Sequence, residues 1–194
     1  MNKSRLEAFS DGVFAIIITI MVLELKVPET TGWHTLMHLA PVFYGYLLSF
    51  IFVAIYWANH HHLMHTIHKV KASIIWANMF LLFSLSLVPF ATGWMGVNRF
   101  EKGTVAVYGT LLAICGVSYT ILSKVISHSY KQETELTKAI AKSDFKGITS
   151  LVLYISSVPI ALYVSPYISL VLYAIVSVLW FIPSNAIEKA LENE

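Results

Sequence analysis

The chain has 194 residues, 57% of them hydrophobic and only 12% charged, where an ordinary soluble domain carries roughly a quarter charged residues, and its mean hydropathy is +0.68. Thirteen Lys and Arg against eleven Asp and Glu give a formal net charge of +2 with no basic block, which leaves no electrostatic footprint for nucleic acid. The lone cysteine, Cys115, lies in an apolar run and excludes an internal disulfide, and with it the small secreted scaffolds stapled by bridges.

The bilayer is the solvent this composition fits, and a helix crossing it needs about 20 mostly apolar residues. The first apolar segment, Gly12 to Leu23, offers twelve residues between Asp11 and Glu24, about 18 Å of helix. With its flanks, over 10–27, it reaches membrane length, but an acid then sits near each end, which is tolerated only at a water-filled mouth or against partners in a bundle. It therefore reads as an interior helix. Further along, no Asp, Glu, Lys or Arg occurs from Thr30 to His68, from Ala72 to Asn98, from Gly103 to Ser123 or from Gly147 to Ile187. The last gap holds two helices, broken at Pro166. The expected architecture is all-α and polytopic, a single domain over 1–194 with six transmembrane helices at about 10–27, 36–58, 73–95, 104–126, 147–164 and 167–183.

Six spans with an inside N-terminus place Lys3, Arg5, Lys69, Lys71, Lys124, Lys131, Lys138, Lys142, Lys146 and Lys189 on one side, and Lys26, Arg99 and Lys102 on the other. Because Lys and Arg in short loops collect in the cytoplasm, this predicts a plasma-membrane protein with both termini cytoplasmic. The first apolar run follows an Asp and lacks a small-residue cleavage site, so no cleavable signal peptide is expected. Between Lys124 and Lys146, Glu133 and Glu135 alternate with lysines, which reads as a helix continuing into water, with Ser143 or Asp144 as N-cap of the fifth span.

Histidines 60, 61, 62, 65 and 68 cluster at the end of the second span. His61, His65 and His68 share a helical face, and two histidines at i, i+4 can hold zinc. No carboxylate or thiolate lies nearby in sequence, so polar packing is the default, and a metal-ion exporter or secondary transporter using this cluster is the alternative reading. Spans two to six contain no Asp or Glu, which weighs against coupled antiport, since a midplane carboxylate normally binds and releases the ion. No G-x-S-x-G elbow or H-E-x-x-H pair appears, so no enzyme is expected and no cofactor is implied. Tyr44-Gly45-Tyr46 lies inside a span and lacks the T-V-G-Y-G pattern of a carbonyl filter.

At 100° per residue, Gly12, Ile16, Thr19, Ile20 and Leu23 form one stripe of the first helix, and Phe14, Ile18, Met21 and Leu25 the opposite one. Both are apolar, and periodicity alone leaves open whether the first lines a pathway or fills a core. Thr19 is the only hydroxyl between Gly12 and Leu23.

Arg5, three residues, then Phe9-Ser10-Asp11 leading into Gly12-Val13-Phe14-Ala15-Ile16 closely resembles the first-helix signature of the transmembrane protein 175 family of potassium channels. The likeness extends to Trp57-Ala58-Asn59-His60-His61, to Asn78 and to Ser86-Leu87-Val88-Pro89-Phe90. A single six-span unit is similar to the prokaryotic form, which implies a homotetramer. The resemblance implies a pore lined by the first helix of each subunit, with the main constriction at Ile16, further apolar layers at Ile20 and Leu23, and a pore hydroxyl at Thr19. It implies passive permeation of K⁺, with Rb⁺ and Cs⁺ also passing. An apolar ring favours the ion that sheds water at least cost, and potassium holds water less tightly than sodium. Arg5, Phe9, Ser10, Asp11, Trp57, Asn59, His60 and Asn78 are expected to form the network that anchors the pore helix, because buried polar groups need partners.

Overall fold

The computed structural model describes residues 2–28, 30–129 and 135–181, with 135–145 described by backbone alone. Among the described residues there is no strand. The helices are α1 (Lys3–Leu23), α2 (Trp33–His38), α3 (Ala40–His65), α4 (Ala72–Ser86), α5 (Val88–Val97), α6 (Lys102–Ser129), α7 (Glu135–Tyr163) and α8 (Pro166–Phe181). Among the described residues five stretches are long and apolar enough to cross a membrane: Lys3–Leu23, Ala40–His65, Ala72–Val97, Lys102–Ser129 and Lys146–Tyr163. The described part of α8 is apolar and shorter, 16 residues.

The first helix departs from expectation at both ends. It begins at Lys3 rather than 10, because Asn2 Oδ1 accepts from the Arg5 N–H at 3.0 Å and caps it, and Lys3 pairs with Glu7 at 3.9 Å one turn on. It ends at Leu23 with Glu24 as its C-cap, and Pro28 keeps the residue before it from helical backbone. The 21 residues reach about 31 Å, and Asp11 sits mid-helix.

Proline places two further breaks. Pro89 cannot donate the helical hydrogen bond and its ring crowds the preceding turn, so the third stretch divides at Leu87 into α4 and α5. Pro166 opens α8 at the first-turn position where the missing N–H costs nothing. The N-cap expected at Ser143 or Asp144 is not formed: α7 runs helical through both from Glu135, over a stretch whose lysines and alanines favour helix. The side chains of Glu135, Lys138, Lys142, Ser143 and Asp144, and all of Lys131, Glu133 and Lys189, lie outside the described residues.

Lys3 Nζ donates to His65 O at 2.8 Å, and Lys71 Nζ to Ser129 O at 3.1 Å. The start of α1, the end of α3, the start of α4 and the end of α6 therefore share one end of the bundle. α6 runs through the centre, packing on α4, α5, α7 and α8, with Tyr108, Leu112, Cys115, Leu122 and Ile126 buried at helical spacing. Lipid tails are as apolar as leucine, so helices in a bilayer are held by close contact and interhelical hydrogen bonds rather than by expulsion from water. Both are present. Ser49 bonds Thr92 at 2.6 Å and Tyr108 at 2.8 Å, joining α3, α5 and α6, and Ser84 bonds Ser118 at 3.0 Å between α4 and α6. At Gly96 a Cβ would lie 2.8 Å from Val42 Cα, so α5 and α3 approach to a distance only glycine permits.

Gly96→Val should therefore destabilise the subunit by roughly 1–3 kcal/mol, read as a lowered thermal midpoint of the detergent-purified protein. Gly103→Ala, whose Cβ would meet nothing within 4 Å, should leave the midpoint unchanged.

Candidate ion pathway and its anchor

α1 presents two longitudinal faces. Leu6, Ser10, Phe14, Ile17 and Met21, spaced three or four apart, are buried against the subunit. The opposite stripe lies uncovered on the single chain: Ile16 is 59% exposed, Ile20 44% and Leu23 73%, and Gly12 and Thr19 are exposed beside them. The wheel's stripe of Gly12, Ile16, Thr19, Ile20 and Leu23 is thus one surface of the folded subunit and takes no part in its core. Thr19 Oγ1 donates to Ala15 O at 2.7 Å, so its hydroxyl is satisfied within the helix.

The buried face of α1 carries the polar groups that hold it. Ser10 Oγ donates to Leu6 O at 2.9 Å and accepts from Asn78 Nδ2 at 3.0 Å. Asn78 Oδ1 lies 2.7 Å from His60 Nε2; an amide oxygen only accepts, so Nε2 carries the hydrogen. Ser10, Asn78 and His60 are at most 1% exposed, and the line ties α1 to α4 and α4 to α3. The His60 ring also tilts against Phe14 with centroids 5.4 Å apart. On the neighbouring edge, Trp57 Nε1 donates to Asp11 Oδ1 at 2.9 Å.

Five of the eight residues expected in this network meet there, and three do not. Arg5 and Phe9 are exposed, on the outward stripe with Gly12 and Ile16, because positions 5, 9, 12 and 16 repeat every three or four residues. Asn59 turns to the other side of α3: its amide donates to Ile55 O at 2.8 Å, and its backbone carbonyl accepts from Tyr119 Oη at 3.3 Å. Two contacts at the ends of α1 escaped the sequence reading. One is Lys3 on the His65 carbonyl. The other is Glu24, whose carboxylate lies so close over α5 that a Cβ on Gly93 would sit 2.9 Å from Oε2. Only the i, i+4 spacing of Lys3 and Glu7 hinted at the first, and no local signal pointed to the second.

The histidines divide as well. His61 and His65 place Nε2 atoms 3.1 Å apart with rings edge to face, and Trp57 stacks beside His61. Among the described residues no three His, Cys, Asp or Glu side chains converge as a metal site, so the triad His61, His65, His68 is not assembled in the subunit.

An all-helical bundle with several membrane-length helices, an uncovered apolar stripe on the first and a buried polar anchor behind it defines a multi-pass membrane protein. The family model for the endosomal/lysosomal potassium channel TMEM175 matches residues 5–89, from α1 to the start of α5. A potassium channel of a Chryseobacterium species is 49% identical over 193 residues, spanning the whole of both chains. A potassium channel of Streptomyces collinus is 34% identical over 131 residues, covering 63% of this chain and 64% of that one. The crystal structure of a lysosomal potassium-selective channel TMEM175 homolog from Chamaesiphon minutus superposes with a TM-score of 0.82 at 26% identity, over 94% of this chain and 98% of that one. The chain belongs to the TMEM175 family.

Asn78→Leu, which strips both Ser10 and His60 of a partner, should cost roughly 1–3 kcal/mol. Thr19→Ala should stay within about 0.5 kcal/mol of wild type, because the hydroxyl bonds only its own helix. Thermal unfolding in detergent compares the two, and equal midpoints would remove Asn78 from the anchor.

Proposed function

We propose that the protein is the subunit of a passive, potassium-permeable channel, conducting K⁺ in preference to Na⁺ and also passing Rb⁺ and Cs⁺. Four copies surround an axis lined by α1, with Ile16 as the narrowest ring and Ile20 and Leu23 as further apolar layers beside the Thr19 hydroxyl. α8 serves as the sixth span, and both termini lie on the cytoplasmic side of the plasma membrane. The observation that carries this reading is the uncovered stripe of α1. A helix anchored by its polar residues on one face, with bulky apolar residues left bare on the other, is suited to meet copies of itself. Relatives named potassium channels along this chain's length support the choice of ion.

Selection in such a pore rests on dehydration. A ring of isoleucines offers no oxygens in place of the lost shell, so the ion with the weaker hold on water passes more easily and Na⁺ is disfavoured. Divalent cations, which dehydrate far more reluctantly, are excluded. The alternative of a coupled exporter working through His61, His65 and His68 has less support, since those residues do not converge as a metal site in the subunit and the spans after α1 hold no carboxylate.

In liposome flux assays, Ile16→Asn should bring the ratio of K⁺ to Na⁺ flux down towards unity, because a polar ring relieves dehydration for both ions; unchanged selectivity would take Ile16 out of the constriction. Flux that requires a pH gradient would favour coupled transport instead. Native mass spectrometry should find four copies, and a stable monomer would overturn the shared axis.

A further inference from the structure

Behind the α1 anchor, α3, α6, α7 and α8 form a narrow cleft that opens at its mouth to the surface. The cleft itself holds about 40 Å³, room for about three waters, so a small polar tip fits inside it and a ring stays at the mouth. Aromatic rings build the walls. Tyr56 and Phe52 centroids are 4.7 Å apart, Tyr56 and Tyr119 5.9 Å, Phe52 and Tyr154 6.4 Å, and Tyr119 and Trp180 6.1 Å. No charged side chain among the described residues lines it.

The hydrogen-bond ledger of the lining is uneven. Trp180 Nε1 donates to Ser150 Oγ at 2.8 Å, Thr120 Oγ1 to Gly116 O at 2.9 Å and Tyr119 Oη to Asn59 O at 3.3 Å. Tyr56 and Tyr154 line the same cleft, and neither hydroxyl bonds any described residue. Tyr154 is only 3% exposed. The one fully enclosed side-chain polar atom without a hydrogen-bond partner among the described residues is Glu7 Oε1, so both phenol oxygens keep open surface, and the cleft is the space they share. Buried hydroxyls in native proteins nearly always find a partner. Two unspent donors, aromatic walls and no charge call for a neutral ligand with an acceptor oxygen on an apolar body.

We propose that this cleft binds a neutral carbonyl compound, with the C=O reaching the Tyr56 and Tyr154 hydroxyls and the ring or alkyl remainder against Tyr119 and Trp180 at the mouth. A free aromatic ketone and the ester carbonyl of a lipid share this chemistry. Size excludes a sugar or nucleotide headgroup from the cleft, and a hydrated cation finds no carboxylate among its described lining residues.

The probe is 4-bromoacetophenone, whose bromine quenches tryptophan fluorescence on contact, titrated into the purified full-length protein. Wild type should show a saturable quenching component above the linear one from partition into micelles. Trp180→Phe should abolish that component, and Tyr154→Phe should weaken it by up to about tenfold, the worth of one hydrogen bond. Gly116→Ala sets a methyl at ordinary contact distance, 3.9 Å from Tyr56 Oη, so it narrows the cleft while keeping the fold and should also weaken binding. Quenching that is only linear in wild type, or saturable quenching indifferent to all three substitutions, overturns the site and leaves a cleft filled by water. Repeating the titration in diester and diether phosphatidylcholine vesicles identifies the source. Weaker probe binding in the diester lipid marks the bilayer's own ester carbonyl as competitor, and equal binding marks a ligand arriving from solution; either result leaves the site standing.

Discussion

The rotation of α1 about its own axis is the setting on which the rest depends, and hydrophobicity cannot choose it. The helix is apolar on both faces from Gly12 onward, and in lipid an isoleucine directed at acyl chains is as comfortable as one directed at a neighbour. The choice falls to Ser10 and Asp11. Ser10 must meet Asn78, which must meet His60, and Asp11 must reach the Trp57 indole. Interhelical bonds of this kind contribute about 0.6 kcal/mol on average and up to about 1.7 kcal/mol, small amounts that suffice because nothing else discriminates. Once they close, Phe14, Ile17 and Met21 turn inward, and Ile16, Ile20 and Leu23 are left outside.

The same economy governs the remaining contacts. Hydroxyls of Ser49, Thr92 and Tyr108 stitch three helices together, while Gly96 lets α5 close on the backbone of α3. The break at Leu87 lets α5 run as a helix separate from α4, and Thr92, bonded back to Val88 O at 2.7 Å, carries its oxygen to Ser49. A proline that interrupts the helix therefore lies one turn from the bond that ties the interrupted piece down.

Much of this was legible in the residues. Gaps between charges mark the helices because a buried charge is costly in lipid, and Pro166 marks its break because proline lacks the donor a helix interior needs. A membrane span over 10–27 follows from the apolar residues alone, whereas α1 starts earlier because Asn2 and the Lys3–Glu7 pair make a good helix start outside the apolar zone. The anchor was legible in residue type and less so in direction. Arg5 and Asn59 have the right chemistry, yet helical geometry turns Arg5 onto the outward stripe, and Asn59, one residue before His60, about 100° away from it. Glu24 over Gly93 and the aromatic cleft join elements distant in sequence, and no local pattern records them.

The Thr19 hydroxyl has a polarity of its own. Its hydrogen is turned back on Ala15 O, so the oxygen faces outward with lone pairs alone. Wherever that face meets water it behaves as a Lewis base, welcoming the hydrogens of oriented solvent or a positive ion, and offering an anion nothing to hold. Between Ile16 and Leu23, where the stripe is otherwise hydrocarbon, it thereby acquires a preference for the sign of charge with no charged side chain in that stretch.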